Sequence, residues 1–270
     1  GYGAELGLRI TPLHQEIRSA DLLIAFGGDG TILHLARTVA LHSVPVLGVN
    51  LGSLGFMSEL EVDELDRLRD LADWSFDVES RMMLDVSVLR GGKSVYNNIA
   101  LNDAVISKGS IARVVRLNIF TEEGQLTKVG GDGIIASTPT GSTGYSMAAG
   151  GPIVEPEAAN IIVTPICAHI MAAKSFVLSP ERTVTVIPER LRGRRAVLSV
   201  DGSEGLVLGS GDEVGAGGGR AGEGLLAAPT RDGGVVAARE HLGDPHAAKV
   251  GGACVLGIFQ KAAGEGLVHG

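Results

Sequence analysis

The sequence is poor in cysteine and in long apolar runs, and each shortage excludes a class of protein. Its 270 residues include two cysteines, Cys167 and Cys254, which lack both the paired spacing of a zinc site and the density of a disulfide scaffold. No apolar segment is long enough to cross a bilayer, and no basic stretch leads into an apolar one as in a secretory signal. We therefore expect a globular protein of the cytoplasm, without a membrane partner.

An excess of positive charge is also lacking, since the formal net charge is −8. Proteins that bind nucleic acid without sequence preference neutralise many phosphates with Lys and Arg, so we expect no nucleic-acid partner. The chain has no Gly-x-x-x-x-Gly-Lys-Ser/Thr loop, so ATP is not held in the Walker manner. The seven histidines form no pair at metal-ligand spacing, and we predict no metal site built by the protein.

The first part of the chain alternates strand-like and helix-like segments. Residues 21–26 and 44–49 are short apolar runs typical of buried strands. Apolar residues at helical spacing mark 31–41 as a helix, and leucines at three-residue spacing among charges mark 63–71 as an amphipathic surface helix. Strand, helix, strand, helix predicts a parallel sheet.

From residue 81 the pattern becomes one of extended segments rich in Val and Ile, separated by glycine turns. After residue 211 glycine is so frequent that neither a helix nor a strand period is sustained. We predict three parts: an α/β nucleotide-binding domain over 1–79, a β-rich dinucleotide-binding domain over 80–210, and a Gly-rich tail over 211–270.

The loop Gly27-Gly28-Asp29-Gly30 lies between the first predicted strand and the first predicted helix. Backbone N–H groups at a helix start favour phosphate, and glycine permits positive φ and a close approach of the ligand. A carboxylate there repels phosphate unless it handles a proton, a hydroxyl or a metal. Asp29 therefore has two open interpretations, a chemical group or a simple helix cap.

Three further motifs follow this loop in order: "GVNLGSLGF" at 48–56, "LNDAVISKG" at 101–109 and "GDGIIASTPTGSTGYSMAAGGP" at 131–152. Together with the loop they resemble the NAD kinase family, over about residues 21–202. Phosphofructokinases and lipid kinases of the diacylglycerol type share the loop, but neither suggests the Thr-Pro-Thr-Gly-Ser-Thr block. The resemblance implies a Rossmann-like α/β domain, here without its first strand, followed by a β-rich C-terminal domain of the NAD kinase type.

The resemblance also implies roles for individual residues. Asp29 would be the general base for the 2′-hydroxyl of the adenosine ribose, with Gly28 and Gly30 shaping the loop near the transferred phosphate. Asn102 and Asp103 would hold ribose hydroxyls and the nicotinamide side of the dinucleotide, because a carboxylate can accept from two vicinal hydroxyls. Without the family, Asn-Asp is simply a common turn pair.

The remaining positions carried over by the resemblance bind the dinucleotide: Asp132, Thr140, Thr143 and Tyr145 in the long block, and Asn50 and Phe56 in the second glycine loop. Phe56 would line the adenine. Tyr145 and Phe56 also have the ordinary interpretation of packing residues, and Asp201 is interpreted as part of a structural Asp-Gly turn.

The function implied is transfer of the γ-phosphoryl group of ATP, or of a phosphoryl group of inorganic polyphosphate, to NAD, giving NADP. Mg²⁺ or another divalent cation would come with ATP, and the resemblance implies a homodimer or homotetramer. Two alternatives stay open: a catalytically inactive NAD-binding protein of the same fold, and a lipid or sugar kinase sharing the loop. The sequence leaves the phosphoryl donor and the preference between NAD and NADH undecided.

Overall fold

The computed structural model describes residues 11–52, 57–73, 76–109, 114–168, 174–189, 191, 195–218, 224–229 and 256–259. The chain divides into two compact units. The first comprises Gly1–Glu79 together with Leu225–Gly270, and the second comprises Ser80–Gly224. Among the described residues, no helix is both long and apolar enough to cross a bilayer.

The first unit begins with short helices and continues as an α/β sheet. Its helices are α1 (Leu13–Glu16), a 3₁₀ turn (Ile17–Ser19), α2 (Asp29–Ala40) and a longer 3₁₀ helix (Val62–Asp73). Its first four strands are β1 (Leu22–Phe26), β2 (Val46–Asn50), β3 (Leu60–Glu61) and β4 (Phe76–Arg81). Strands β1, β2 and β3 are parallel, as the alternation of strands and helices predicts.

Helix α2 lies against this sheet through one apolar stripe. The stripe includes Ile32, Leu35 and Val39, all buried, at the spacing that places side chains on one helix face. A Cβ at Gly48, in the middle of β2, would lie 2.5 Å from Cδ1 of Ile32. The glycine therefore leaves the space that Ile32 occupies, and the "GVN" motif serves packing as well as the following loop.

The predicted helix at 63–71 is a 3₁₀ helix, and its leucines explain why. A 3₁₀ helix has three residues per turn, so side chains three apart lie above one another. Leu68 and Leu71 pack against the apolar core of the first unit, whereas Leu65 is exposed. The spacing that marked a helix thus fits the tighter form.

The second unit consists of twelve described strands in two antiparallel sheets. They are β5 (Leu84–Arg90), β6 (Lys93–Ala100), β7 (Asp103–Lys108), β8 (Val115–Thr121), β9 (Gly124–Gly131), β10 (Gly133–Ser137), β11 (Ile161–Ile166), β12 (Phe176–Leu178), β13 (Thr183–Pro188), β14 (Ala196–Val200), β15 (Leu206–Leu208) and β16 (Glu213–Gly218). The β5 sheet has the order β6-β5-β16-β13-β8-β9, and the β7 sheet has the order β12-β11-β10-β7-β14-β15. This confirms the predicted fold class of α/β plus β.

One apolar cluster joins the inner faces of these two sheets. Strand β5 alternates buried and part-exposed residues, so that Val86 and Val88 point inward, and Ile119 of β8 and Ile134 of β10 reach the same cluster. Alternation of this kind is what a sheet with one buried face requires. The helical part of the second unit is small, a 3₁₀ turn at Thr140–Thr143 and helix α3 (Tyr145–Ala148).

The region interpreted as a Gly-rich tail contributes strands to both units. Strand β16 pairs with β5 and β13 beyond the expected boundary at residue 210. Strands β17 (Gly224–Pro229) and β18 (Leu256–Phe259) join the first sheet, whose order is β18-β1-β2-β17-β4, with β3 beside β2. Strand β16 was not predicted because its glycines resemble a flexible segment. They are needed for space, since a Cβ at Gly218 would lie 2.1 Å from the carbonyl oxygen of Pro180.

The sequence predicts no strand before Asp21, and the structure describes only residues 11–20 of that segment. Residues 1–10 lie outside the described residues. From residue 11 onward the chain forms α1 and the 3₁₀ turn, and β1 is the first described strand.

We predict that the shared core of the second unit dominates its stability. Val88 is fully buried, while Val95 on the neighbouring strand β6 is 46% exposed. Val88→Ala should lower the free energy of unfolding by about 1.5–3 kcal/mol, and the matched Val95→Ala by less than about 1 kcal/mol. Denaturant titration of both variants measures the difference, and equal effects would contradict the burial.

Candidate functional site

The Gly-Gly-Asp-Gly loop connects the end of β1 to the start of α2, as its sequence predicts. None of its glycines has a positive φ, so left-handed backbone is not why they are needed. Space is the reason. A Cβ at Gly27 would lie 2.5 Å from Oγ1 of Thr31, whereas Gly28 and Gly30 face open space with no described atom within 4 Å of such a Cβ. Something can therefore approach the backbone closely at Gly28 and Gly30.

Asp29 is the first residue of α2 and is half-buried. The cap position is Gly28, and no side chain caps this helix. Asp29 is therefore not the N-cap residue of α2. Its Oδ1 instead accepts the backbone N–H of Met57 at 3.2 Å, which ties the start of the helix to the end of the second glycine loop.

Asn50 is buried at the end of β2 and fastens the second glycine loop. Its side-chain nitrogen lies 3.1 Å from both carboxylate oxygens of Glu61, and its Oδ1 accepts the N–H of Gly52 at 3.1 Å. These contacts are internal to the first unit. Phe56, the other predicted residue of this loop, lies outside the described residues.

In the second unit, the structure brings together two motifs whose contacting residues are 36 or 37 positions apart in the sequence. After β10, Thr138 donates its backbone N–H to the carbonyl of Asn102 at 2.9 Å. Its Oγ1 donates to the carbonyl of Leu101 at 2.5 Å and accepts the N–H of Gly141 at 3.0 Å. A Cβ at Gly141 would lie 2.1 Å from the carbonyl oxygen of Asn102. The Thr-Pro-Thr-Gly block therefore rests directly on the Asn-Asp segment.

Three buried polar atoms in this region have no hydrogen-bond partner among the described residues. They are Oδ1 of Asn102, Oγ of Ser137 and Oγ1 of Thr140. Ser137 is fully buried and pairs across the sheet with Asp103, so the two side chains lie on the same face. Buried polar groups are normally satisfied, and a group of unsatisfied ones indicates a place for a polar ligand or ordered water.

Asp103 is the first residue of β7 and is buried. Burial raises the pKa of its carboxyl group to about 7, and the negative charge of Asp201 adds to this rise. A carboxyl group with such a pKa can donate or accept a proton near neutral pH. Asp103 is therefore a buried strand residue and does not lie in an exposed turn.

The other predicted residues of the long block differ in their surroundings. Asp132 forms an ion pair with Lys108 at 2.6 Å, and Oγ1 of Thr143 donates to the carbonyl of Thr140 at 3.4 Å. Tyr145 begins α3 and is 46% exposed, so it is not buried as a packing residue.

Two residues that hold this region together, Thr138 and Asp201, were not predicted from the sequence as site residues. No role was predicted for Thr138 within its motif, and Asp201 was predicted only to form part of a turn. Their partners are about 36 and 100 residues away in the sequence, so no local pattern could have paired them. The sole available signal was the position of Thr138 inside a dense block of small polar residues.

We predict that Gly141→Ala displaces the 101–103 segment. The added Cβ would clash with the backbone of Asn102, and overpacking of this kind costs about 1–3 kcal/mol of unfolding free energy. Gly130→Ala is the matched control, because a Cβ there meets no described atom within 4 Å. Thermal melting and amide hydrogen exchange at residues 101–103 measure both; equal behaviour would contradict the close approach.

We also predict a stability that depends on the ionisation of Asp103. The folded pKa of about 7 lies above the ordinary value of 3.8, so the folded state binds more protons between these values. The free energy of unfolding should therefore fall as the pH rises from about 4 to about 7, by up to about 4 kcal/mol from this group. Asp103→Asn should remove this component, whereas exposed Asp66→Asn should leave it. If the free energy of unfolding depends on pH in the same way for the wild type and for Asp103→Asn, the raised pKa is contradicted.

Comparison with known proteins identifies the family of the chain. Residues 11–72 match the model of the ATP-NAD kinase N-terminal domain, and residues 101–221 match that of the ATP-NAD kinase C-terminal domain. The NAD kinase of Geobacter sulfurreducens is 44% identical over 196 residues, 72% of this chain and 69% of that protein. The NAD kinase of Acetivibrio thermocellus is 40% identical over 196 residues, 72% of this chain and 68% of that protein.

Two solved structures are similar in fold. The yeast NADH kinase complexed with NADH has a TM-score of 0.76 and 30% identity, covering 83% of this chain and 66% of that one. An NAD kinase from Archaeoglobus fulgidus in complex with ATP has a TM-score of 0.65 at 22% identity, covering 85% of this chain and 87% of that one. None of these matches favours a lipid or sugar kinase. On its sequence motifs, its fold and these relatives, the chain belongs to the NAD kinase family.

Proposed function

We propose that this protein transfers the γ-phosphoryl group of ATP to the 2′-hydroxyl of the adenosine ribose of NAD, with Asp29 as the general base. The observation that carries the proposal is the set of buried, unsatisfied oxygens of Asn102, Ser137 and Thr140, in the region where the Thr-Pro-Thr-Gly block rests on the Asn-Asp segment. These atoms are the kind of partners that ribose and amide groups require. The relatives are kinases of NAD or NADH, which supports the same ligand.

Recognition of the dinucleotide would use these polar groups in the second unit. The Oδ1 of Asn102 can accept from one ribose hydroxyl, and the hydroxyls of Ser137 and Thr140 can either donate or accept. The carboxyl group of Asp103 can accept from two vicinal hydroxyls when ionised, or donate one hydrogen bond when protonated. Pairing these groups would remove the cost of leaving them buried without partners.

Phosphoryl transfer would use the glycine loop of the first unit. Its open space at Gly28 and Gly30 and the positive end of the α2 dipole suit the oxygens of the transferred phosphate. Asp29 would accept the proton of the 2′-hydroxyl while that oxygen bonds to the γ-phosphorus and the bond to ADP breaks. Such a reaction depends mainly on positioning and on neutralising charge.

A divalent cation would come to this site with ATP. Among the described residues, no three His, Cys, Asp or Glu side chains lie together as a possible metal cage. Mg²⁺ commonly keeps several waters and takes one or two carboxylates beside the phosphates of its substrate. In this proposal the cation would neutralise charge on the donor phosphates.

Several expectations remain predictions. They concern the roles of Asn50, Phe56, Asp132, Thr143 and Tyr145, the use of polyphosphate as donor, the preference between NAD and NADH, and assembly as a homodimer or homotetramer.

NADP formation from NAD and MgATP by the purified protein is the direct test of the function. An NADP-specific dehydrogenase reports the product, and calorimetry measures NAD binding separately. Product supports the kinase. Saturable NAD binding without product would instead establish the alternative of an inactive dinucleotide-binding protein, and a folded protein that binds no NAD would overturn both.

We predict that Asp29→Asn lowers turnover by about 10²–10⁴-fold, because the amide cannot take up the proton of the 2′-hydroxyl. NAD affinity should change by less than about threefold, since the shape of the side chain is kept. Asp66→Asn in the same unit is the control, because its carboxylate is 88% exposed in an ion pair between residues three apart. Normal turnover of Asp29→Asn would show that another group accepts the proton.

A further inference from the structure

A single carboxylate holds the backbone of the predicted dinucleotide-binding pair. Oδ2 of Asp201 accepts the N–H of Leu101 at 2.9 Å, and its Oδ1 accepts the N–H groups of Asn102 at 2.9 Å and Asp103 at 3.0 Å. The backbone N–H of Asp201 donates in return to the carbonyl of Asp103 at 2.9 Å. Four hydrogen bonds therefore join the turn after β14 to the start of β7.

The conformation of Asp201 indicates that this arrangement is enforced. Its φ is 47°, in the left-handed region that non-glycine residues seldom adopt. Ser203 closes the turn. Its backbone N–H donates to the carbonyl of Val200 at 2.9 Å, and its backbone carbonyl accepts the hydroxyl of Ser199 at 2.8 Å. A residue in this region persists only where its surroundings determine the conformation, and such residues concentrate at functional sites.

Asp201 also acts on Asp103 through its charge. The neighbours of Asp103 across the β7 sheet are Ser137 of β10 and, beyond it, Ile162 of β11, neither of which is charged. From the turn after β14, the negative charge of Asp201 opposes ionisation of Asp103, in addition to the larger effect of burial. The carboxyl group of Asp103 therefore keeps its proton to a higher pH than burial alone would give.

We propose that Asp201 is a positioning residue for dinucleotide recognition, which fixes the backbone of 101–103 so that Asn102 and Asp103 present their side chains to the ribose. The inference rests on the proposed function, because it assigns a role to Asp201 only through Asn102 and Asp103. In this role Asp201 acts through these two residues. Its hydrogen bonds fix the backbone from which the two side chains project, and its charge adds to the larger effect of burial on Asp103.

Asp201→Asn tests this role with little change in shape, because the amide nitrogen cannot accept a backbone N–H and the charge is lost. We expect the Kd for NAD to rise by about ten- to a hundredfold, as misplacement of binding groups does, with kcat changed by less than about threefold. We also expect the midpoint of the pH dependence of NAD binding to move to lower pH, because Asp103 loses a neighbouring negative charge. Amide hydrogen exchange at 101–103 should accelerate.

Asp212→Asn is the matched control, since Asp212 is another buried aspartate of a turn in the same unit. It accepts the N–H of Gly209 at 2.8 Å and pairs with Arg90 at 2.7 Å, away from the 101–103 segment. Asp201→Glu is the second variant, because it keeps the charge and changes the length. Asp201→Glu should weaken NAD binding while keeping the wild-type midpoint of the pH dependence of binding. It replaces Asp201→Asn as the test if that variant melts below the assay temperature.

The outcomes separate the two proposals. A wild-type protein that is folded but binds no NAD would overturn the proposed function. If the wild type binds NAD and Asp201→Asn leaves both the affinity and the midpoint unchanged, the positioning role is wrong. It is also wrong if Asp201→Asn loses affinity with an unshifted midpoint, because lost stability alone would produce that result. Weaker binding, a lowered midpoint and faster exchange at 101–103, all absent in Asp212→Asn, would support it.

Discussion

Three consecutive backbone N–H groups, those of Leu101, Asn102 and Asp103, converge on one carboxylate, and the second unit's candidate site depends on that convergence. Hydrogen bonds to a charged acceptor are stronger than neutral ones and are directional. From the other side, Thr138 binds the carbonyl groups of the same segment. The donors and acceptors of this backbone are thus engaged within the fold, which leaves the side chains of Asn102 and Asp103 available to a ligand.

The antiparallel β7 sheet explains why these groups meet. Strand β7 begins at Asp103, β10 ends at Ser137, and β14 ends at Val200. Since β10 and β14 flank β7 and both run antiparallel to it, the ends of these two strands lie beside its beginning. The loops that follow them carry the Thr-Pro-Thr-Gly block and Asp201. Strand order therefore assembles a site from three distant stretches of the chain.

Several features of the fold and the site were predictable because they depend on local chemistry. Periodicity placed β1, α2 and β2 around the glycine loop, and the motifs identified the family that the comparisons confirm. Local sequence led to a wrong prediction where glycine is needed for space. The glycines around β16 resemble a flexible tail, yet Gly218 lies against a neighbouring backbone. The Gly-Gly-Asp-Gly loop likewise needs room beside its backbone and no positive φ.

The sequence by itself determined the order of the elements and the family, because apolar period and motif spacing are written along the chain. The tertiary structure decided how the groups are used. Asn50 is turned toward Glu61, Asp29 accepts from Met57, and the pKa of Asp103 is raised by burial and further by the charge of Asp201. Each of these depends on a partner at least 11 residues away, up to about 100 for Asp103 and Asp201. Which residues become neighbours over such distances is fixed by strand pairing and burial, and local pattern carries no record of it.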